Sequence, residues 1–459
     1  GAGRLGAMGP ALLPEALGRM RPEAVAAVIR DGRPATRMPA FGAELAPEAI
    51  AALARYVLSP AGPLPPWGMA EIAASRTVLV DPASLPAAPV FAADPLNLFV
   101  VVEAGDHHLT ILDGDRFVPL ARLPTRFALH GGPKFSPDGR FVYLMSRDGW
   151  ITRLDLYTLQ PVAEVRAGIN SRNIALSADG RVIAVANYLP RTLVLLDAAT
   201  LAPLQVIPAQ AATGGADSRV SAVYQAAPRG SFIAALKDLP EVWEIADAAG
   251  SGFALRRIPL AEPLDDFFFD PDYRYLVGSA RDGSQGVVLD LDRGVEAAKL
   301  ALPGLPHLGS GIVWQRQGRQ VMATTHLKDP VVTVIDLASW QVVRRIEVAG
   351  PGFFLRGHEA SPYVWADVSL GSQPDIVQVI DKESLEVVAS LQPAPGKPTG
   401  HVEFTRDGRF ALLSVSDLDG ALVVYDARTL VEVARLPMRK PVGKYNVGNK
   451  IGRSEGTSH

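Results

Sequence analysis

A turn followed by a short apolar strand recurs along most of this chain, and that repeat limits the fold more than any other feature. The copies are "SPDGRFVYLM" from 136, "SADGRVIAVA" from 177, "PRGSFIAAL" from 228, "DPDYRYLVGS" from 270, "RQGRQVMAT" from 316, "ASPYVWAD" from 360 and "TRDGRFALLS" from 405. A degenerate copy, "DPLNLFVVVE", starts at 94. Most are followed by a second apolar strand that runs into an Asp and a short turn, as in "ITRLDLYTLQPV", "VVTVIDLASWQVV" and "LVVYDARTLVEV". A period of about 40 to 50 residues with this content is one propeller blade of four strands, which cannot bury its own faces. Eight copies predict an eight-bladed all-β propeller over residues 91–459.

The first sixty residues are of another kind. "PEALGRMRPEAVAAVIRDG" and "LAPEAIAALARYVLS" carry apolar residues at helical spacing, and Pro22 and Pro47, each followed by Glu, sit where first-turn prolines belong. "RPATRMPAFG" between them reads as a loop. A small α-helical domain over 1–60 is expected, then a linker over 61–90 that opens with the proline-rich "SPAGPLPPWG".

Composition narrows the chemistry. A net charge of −3 over 459 residues argues against nucleic acid as main partner, and no apolar run is long enough to span a membrane. The chain has no cysteine, so it offers no disulfide, thiolate metal site or thiol nucleophile. No G-x-G-x-x-G opens a helix, so no dinucleotide site is expected. No signal peptide is visible, and the chain starts at "GAGRLGAMGP" without an initiator Met, so its first residue is not expected to be the biological one.

Three of the eight histidines stand just ahead of the repeat turns. His130 lies nine residues before Gly139, His307 eleven before Gly318 and His401 seven before Gly408. Odd separations along strands of period two would turn all three to one side of their inner strands, toward one channel mouth, unless bulges intervene. A lone histidine is more often a hydrogen-bonded loop or core residue. Three at equivalent blade positions favour iron ligation or general base work. Their blades lie too far apart for a single zinc ion, so a large flat cofactor across the mouth fits better. Arg172, Arg219 and Arg356 precede or enter inner strands and are candidates to clamp its carboxylates, each weighed against a solvated rim residue. His326 could lie near the mouth. His358, in a turn, reads as surface, and His107, His108 and His459 receive no role.

These residues resemble the cytochrome cd1 group, in which a small cytochrome c domain precedes an eight-bladed propeller that holds haem d1. The likeness is carried by "ALHGGPKFSPDGRFVYLMSRDGWITRLDLYTL", by "LPHLGSGIVW" with "ATTHLKDPVVTVID", and by the ending "KPVGKYNVGNK". It implies that His130 is the proximal ligand of the d1 iron and that Met38, in "RMPAF", is the axial methionine of a covalent c haem. The Cys-x-x-Cys-His attachment segment of that haem is expected to lie outside this chain. His307 matches one of the two distal histidines with which nitrite reductases of the group protonate nitrite. Where the other should stand, this chain has "PLDDFFFDPDYRY", so Asp265 (or Asp266 in a shifted register) replaces it. A carboxylate there opposes an anionic substrate and is no acid near neutral pH unless its pKa is raised.

Within the group the chain is more similar to the dihydro-haem d1 dehydrogenases, which convert a propionate of dihydro-haem d1 to an acrylate. Iron ligation by His130, with His307 on the opposite face, would hold the macrocycle, which leaves His401 as the candidate to take a proton from the propionate and Tyr445 as the candidate to donate a hydrogen bond to its carboxylate. Asn446, beside Tyr445, joins the arginines as a cofactor-binding candidate. The resemblance implies electrons leaving through the c haem to an acceptor, cytochrome cd1 nitrite reductase as recipient of the haem d1, and a periplasmic location. A nitrite reductase and a non-catalytic haem d1 carrier are the alternatives.

Overall fold

In a computed structural model, which describes residues 2–6, 11–17, 20–32, 38–62, 64, 66–248, 250, 252–280 and 285–454, the repeats form eight antiparallel sheets around one axis. Seven have four strands, and the eighth gains a fifth. In chain order the inner strands of blades 2 to 8 are Lys134–Phe135, Asn170–Leu176, Val220–Ala226, Leu264–Phe269, Ile312–Arg316, Leu355–Gly357 and Thr399–Phe404. Blade 1 takes its inner strand from the far end of the chain: Pro441–Asn446 pairs with Leu98–Glu103, which closes the ring. The expected eight-bladed propeller is therefore what forms.

Burial explains why the second strand of each blade is so visible in the sequence. Strands such as Leu98–Glu103 and Ser231–Leu236 are packed on both faces and read as unbroken apolar runs, whereas outer strands such as Val295–Leu300 alternate. Adjacent blades share their cores: Val223, Phe232 and Trp243 of blade 4 pack on Ala184, Leu193 and Leu195 of blade 3. The repeat turns are held by their own side chains. In "SPDG", Ser136 Oγ donates to Asp138 and accepts from the Phe141 N–H (2.8 Å), while Gly139 takes the left-handed φ of +76° that a side chain disfavours. The recurring Asp after the third strand is also a turn residue. Asp113, Asp336, Asp381 and Asp426 each accept backbone N–H groups two and three residues on.

The N-terminal region contains helices α1 (Pro14–Leu17), α2 (Pro22–Asp31) and α3 (Pro47–Leu58), with Pro22 and Pro47 each starting a helix. Val25, Ala54 and Val57 form the small core between α2 and α3. Residues 33–37 of the expected loop, and His459, lie outside the described residues. The expected linker is built into the propeller. Helix α4 (Met69–Ser75) buries Ile72 against blades 2 and 3, and Thr77–Val78 adds the fifth strand of blade 2. Leu13 packs on Ile169, and Arg166 donates to the Leu5 carbonyl (2.9 Å), which fastens the helices to the same edge. Helix α5 (Val447–Gly452) continues directly from the inner strand of blade 1. No described helix is long and apolar enough to cross a membrane.

Candidate functional site: the channel mouth

A cavity of about 550 Å³ opens where the inner strands begin, and His130, His307, His401, Tyr445 and Arg172 all line it. The histidines come from blades 2, 6 and 8, and Tyr445 from blade 1. Blades 2 and 6 are diametrically opposite in a ring of eight, so His130 and His307 face each other across the mouth. Among the described residues no cluster of His, Asp and Glu is arranged to hold a bare metal ion.

The route by which the histidines arrive differs from the parity argument. His130 and His307 precede their strands, held through isolated bridges at Leu129 and Pro306, and His401 sits in a β-bulge between Gly400 and Glu403. A left-handed backbone aims each one: Ala128 (φ +47°) and Leu305 (+57°) stand two residues ahead of His130 and His307, and His401 itself has φ +50°. Such conformations cost on the order of 1 kcal/mol or more for non-glycine residues and gather at functional sites.

His130 has one ring nitrogen fixed and the other left as an acceptor. Its Nδ1–H donates to the Arg172 carbonyl (2.8 Å), so Nε2 carries the lone pair. A histidine that ligates a metal has this arrangement, because a carbonyl on one nitrogen fixes the tautomer and aims the other. Arg147 donates to Nε2 (3.2 Å), and the Arg172 guanidinium lies 3.2 Å from Nδ1. Burial opposes charge on Arg172, but Tyr188, Asp266, Tyr224 and Asp265 outweigh it and leave its pKa above the ordinary value.

His307 Nδ1 donates to the Phe353 carbonyl (2.6 Å), which leaves its Nε2 as acceptor, 3.9 Å from Asp266. Phe353 and Phe354 stand edge-on to His307 at 5.8 and 5.9 Å. Phe354 contacts His401 at 4.7 Å, and His401 contacts Tyr445 at 5.1 Å, so one aromatic wall runs from blade 6 to blade 1. The buried Asp367 carboxylate accepts the N–H groups of Phe353 (3.0 Å) and Phe354 (2.9 Å) and fixes this wall.

His401 is held neutral. Burial, then the Lys444 and Lys450 ammonium groups and Arg356, push its pKa well below the usual imidazole range. The Lys444 amine bonds to the His401 carbonyl and to Ser414 Oγ (2.9 Å), which pins the bulge. Tyr445 is held protonated, because burial and the Glu403 carboxylate both raise its pKa.

At the position of the missing distal histidine, both Asp265 and Asp266 line the cavity. Asp265 forms an ion pair with Lys237, which offsets its charge. Asp266 accepts from Tyr224 Oη (2.9 Å) and the Gly309 N–H (2.9 Å) and ties blades 4, 5 and 6 together.

Several expected site residues lie elsewhere. Arg356 is buried on Glu403 (3.0 Å) and the Ser454 carbonyl (3.0 Å), away from the cavity lining. Arg219 is one layer back, paired with Asp238 (2.6 Å) and over the Tyr188 ring, which does line the cavity. Asn446 caps α5 by accepting the Asn449 N–H (3.1 Å) and donates to Asn97 (3.0 Å), a structural use. Met38, expected as an axial ligand of a c haem and not at the mouth, is half-buried past the end of α2, where its carbonyl packs against Gly32. His358 is in a turn as expected, but it is buried and packs on Phe404 rather than facing solvent. His326 is also buried and donates to the Pro303 carbonyl (2.6 Å). Sequence reasoning missed Arg147, Lys237, Phe353 and Phe354. Of these only the "FF" just ahead of Leu355 and Arg356 offered a signal.

A propeller mouth that presents two carbonyl-oriented histidines opposite each other, with basic groups around them, has the features of a tetrapyrrole site. The Cytochrome D1 heme domain family matches residues 93–450, and the chain belongs to that family. It is 58% identical over 459 residues, all of this chain and 93% of the relative, to the Dihydro-heme d1 dehydrogenase of Pseudomonas aeruginosa. The Protein NirF of the same organism is 33% identical over 362 residues, covering 76% of this chain and 90% of that protein. Among solved structures, a "Dihydro-heme d1 dehydrogenase NirN in complex with DHE" superimposes with a TM-score of 0.96 at 58% identity, covering 98% of this chain and 97% of the other.

Proposed function

We propose that this protein is an oxidoreductase that binds dihydro-haem d1 in the channel mouth and dehydrogenates one propionate to an acrylate, yielding haem d1. The observation that carries the reading is the contact of a neutral imidazole, His401, with a protonated phenol, Tyr445, on one wall of the cavity that His130 enters. The same chain is 58% identical, end to end, to a Dihydro-heme d1 dehydrogenase.

The reaction turns –CH2–CH2–COO⁻ into –CH=CH–COO⁻ and releases two protons and two electrons. His130 Nε2 ligates the substrate iron. That ligation displaces Arg147, whose guanidinium, with Arg172 and Lys237, then meets the substrate's carboxylates. Tyr445 donates to the reacting propionate and stabilises the negative charge that grows on its carboxylate as the adjacent C–H bond breaks. His401, unprotonated through burial, takes that proton. Leu129, Leu144, Met145, Phe353 and Phe354 keep water from the macrocycle.

The N-terminal helices we read as part of a cytochrome c-like domain, with Met38 as its axial methionine. The 459 residues contain no cysteine and no histidine before His107, so by themselves they do not fit a covalent c haem, and no electron step is assigned to one. A periplasmic site of action and delivery of haem d1 to cytochrome cd1 nitrite reductase extend the same reading.

The test is anaerobic mixing of the full chain with dihydro-haem d1, followed by ferricyanide as one-electron oxidant and absorption spectra over time. Conversion to the haem d1 spectrum, with transfer to apo-nitrite reductase, is expected. A bound but unchanging spectrum would make the protein a carrier, and retained haem d1 with nitrite turnover would make it a nitrite reductase. His401→Ala is expected to abolish conversion with tetrapyrrole binding preserved; loss of both would make His401 an anchor.

A further inference from the structure

We propose that Lys134 is the second proton acceptor of this dehydrogenation, taking up from behind the Gly132 side of the cavity the proton that His401 does not; the inference rests on the dehydrogenase reading above. When the electrons leave one at a time, both hydrogens of the new double bond depart as protons, and each needs an unprotonated acceptor. His401 supplies one. Tyr445, kept as a phenol, supplies none.

Lys134 opens the inner strand of blade 2, two residues beyond the Gly131–Gly132 pair that lines the cavity, while Lys134 itself stands behind that lining. A methyl group placed on Gly132 would stand 3.3 Å from Tyr445 Cε1 and 3.8 Å from Lys134 Nζ. The amine, the phenol ring and the cavity lining therefore converge on one point that the absent side chain leaves open. The sole hydrogen bond of the amine among the described residues is a long one, 3.4 Å to the Gly131 carbonyl.

Two other buried lysines nearby are engaged. Lys444 bonds to the His401 carbonyl and Ser414, and Lys450 pairs with Glu403 (3.7 Å). From α5, Lys450 and Arg453 face Lys134, and burial together with these two cations lowers its pKa to about 7. The remaining titratable neighbours are turned elsewhere: Arg172 of blade 3 toward His130 (3.2 Å), and Tyr143, its cross-strand partner, toward the Ala198 carbonyl (3.1 Å). A substantial neutral fraction of Lys134 thus exists near pH 7.

The step balances. Two C–H bonds break and one C=C bond forms. One proton goes to His401 and one to the Lys134 amine, and the two electrons reduce two equivalents of a one-electron oxidant, ferricyanide in the assay.

The experiment uses the full chain with dihydro-haem d1 and ferricyanide, without oxygen. Lys134→Met and Lys134→Arg are compared with the wild type for kcat, for its pH profile and for tetrapyrrole affinity by absorbance titration. Both variants are expected to lose about 10²-fold in kcat, the lower end for a lost proton-transfer group, with affinity unchanged. Arginine keeps the charge but cannot give it up. The wild-type kcat should rise with pH through about 7 as the amine loses its proton, and this limb should vanish in both variants. Methylamine should restore Lys134→Ala in proportion to its free-base concentration, which a packing role would not allow. Wild-type rates in Lys134→Arg, an unchanged pH limb in Lys134→Met, or loss of binding in both would overturn the proposal. Absence of turnover in the wild type would sink the dehydrogenase reading itself, before any variant is considered.

Discussion

Replacing Tyr445 by Phe separates chemistry from folding unusually well. The Tyr445 hydroxyl makes no hydrogen bond to the described residues and faces the cavity near Gly443, where a Cβ would lie 2.8 Å from it. Its removal leaves no buried partner unsatisfied, so fold stability should change by no more than about 0.5 kcal/mol. Its hydrogen bond to a propionate is a different matter, because a bond to a charged group contributes about 1.5–3 kcal/mol. That bond strengthens as charge grows on the carboxylate during C–H cleavage, so the loss should fall on kcat rather than on KM. The expected drop is about 10- to 150-fold. Burial and Glu403 keep the phenol protonated, so the shape of the pH profile should not change, in contrast to the Lys134 variants. The assay is anaerobic stopped-flow oxidation with ferricyanide alongside a thermal melt. A wild-type kcat in Tyr445→Phe would remove the phenol from the mechanism. A raised KM with kcat intact would make it an anchor, and a lowered melting temperature would show that the hydroxyl serves the fold.

His130→Ala should abolish the absorption signature of the imidazole-ligated iron on addition of dihydro-haem d1, with the melt unchanged, since His130 packs at the mouth rather than in a core; an unaltered spectrum would transfer the ligand role to His307. Glu403→Gln should destabilise the protein by about 3–5 kcal/mol, because the buried Arg356 guanidinium loses its counter-charge. Arg356, Lys450 and the Phe404 N–H together outweigh burial and hold the Glu403 pKa below the ordinary value. The stability that it contributes is therefore present at neutral pH and lost as pH falls through the usual glutamate value of about 4.3 and below. Acid-range melts of wild type and Glu403→Gln should converge; parallel curves would refute the assignment.

The blades were legible because each carries its own punctuation. "SPDG" demands a left-handed glycine, and the strand after it is buried on both faces, so the repeat shows as a turn followed by an apolar run. The site was legible only where a rare side chain marked it. His130, His307 and His401 line one cavity, but not by strand parity: left-handed Ala128, Leu305 and His401 bring them there, and neither Ala nor Leu signals such a backbone. Arginine positions were legible and their partners were not. Arg356 meets Glu403, 47 residues on, and Arg219 meets Asp238, 19 residues on, while Arg172, with the same local pattern, reaches His130. Asp238 belongs to the same blade as Arg219, whereas Glu403 belongs to the blade next to that of Arg356, so the partner is set by strand pairing and blade packing rather than by the local pattern.

Closure of the ring and completion of the site are one event. The segment that supplies the inner strand of blade 1, Pro441–Asn446, carries Tyr445 into the cavity and Lys444 onto the His401 carbonyl. The helix that follows brings Lys450 and Arg453 toward Lys134 and sends Arg453 to Tyr273 and Gln225 on blades 4 and 5. Until the last strand pairs with Leu98–Glu103, His401 lacks Tyr445 and the Lys444 and Lys450 cations that help to keep it neutral, and Lys134 lacks the charges that lower its pKa. Both proton acceptors thus depend on the segment from Pro441 onward, in a chain that first touches the cavity at Val102.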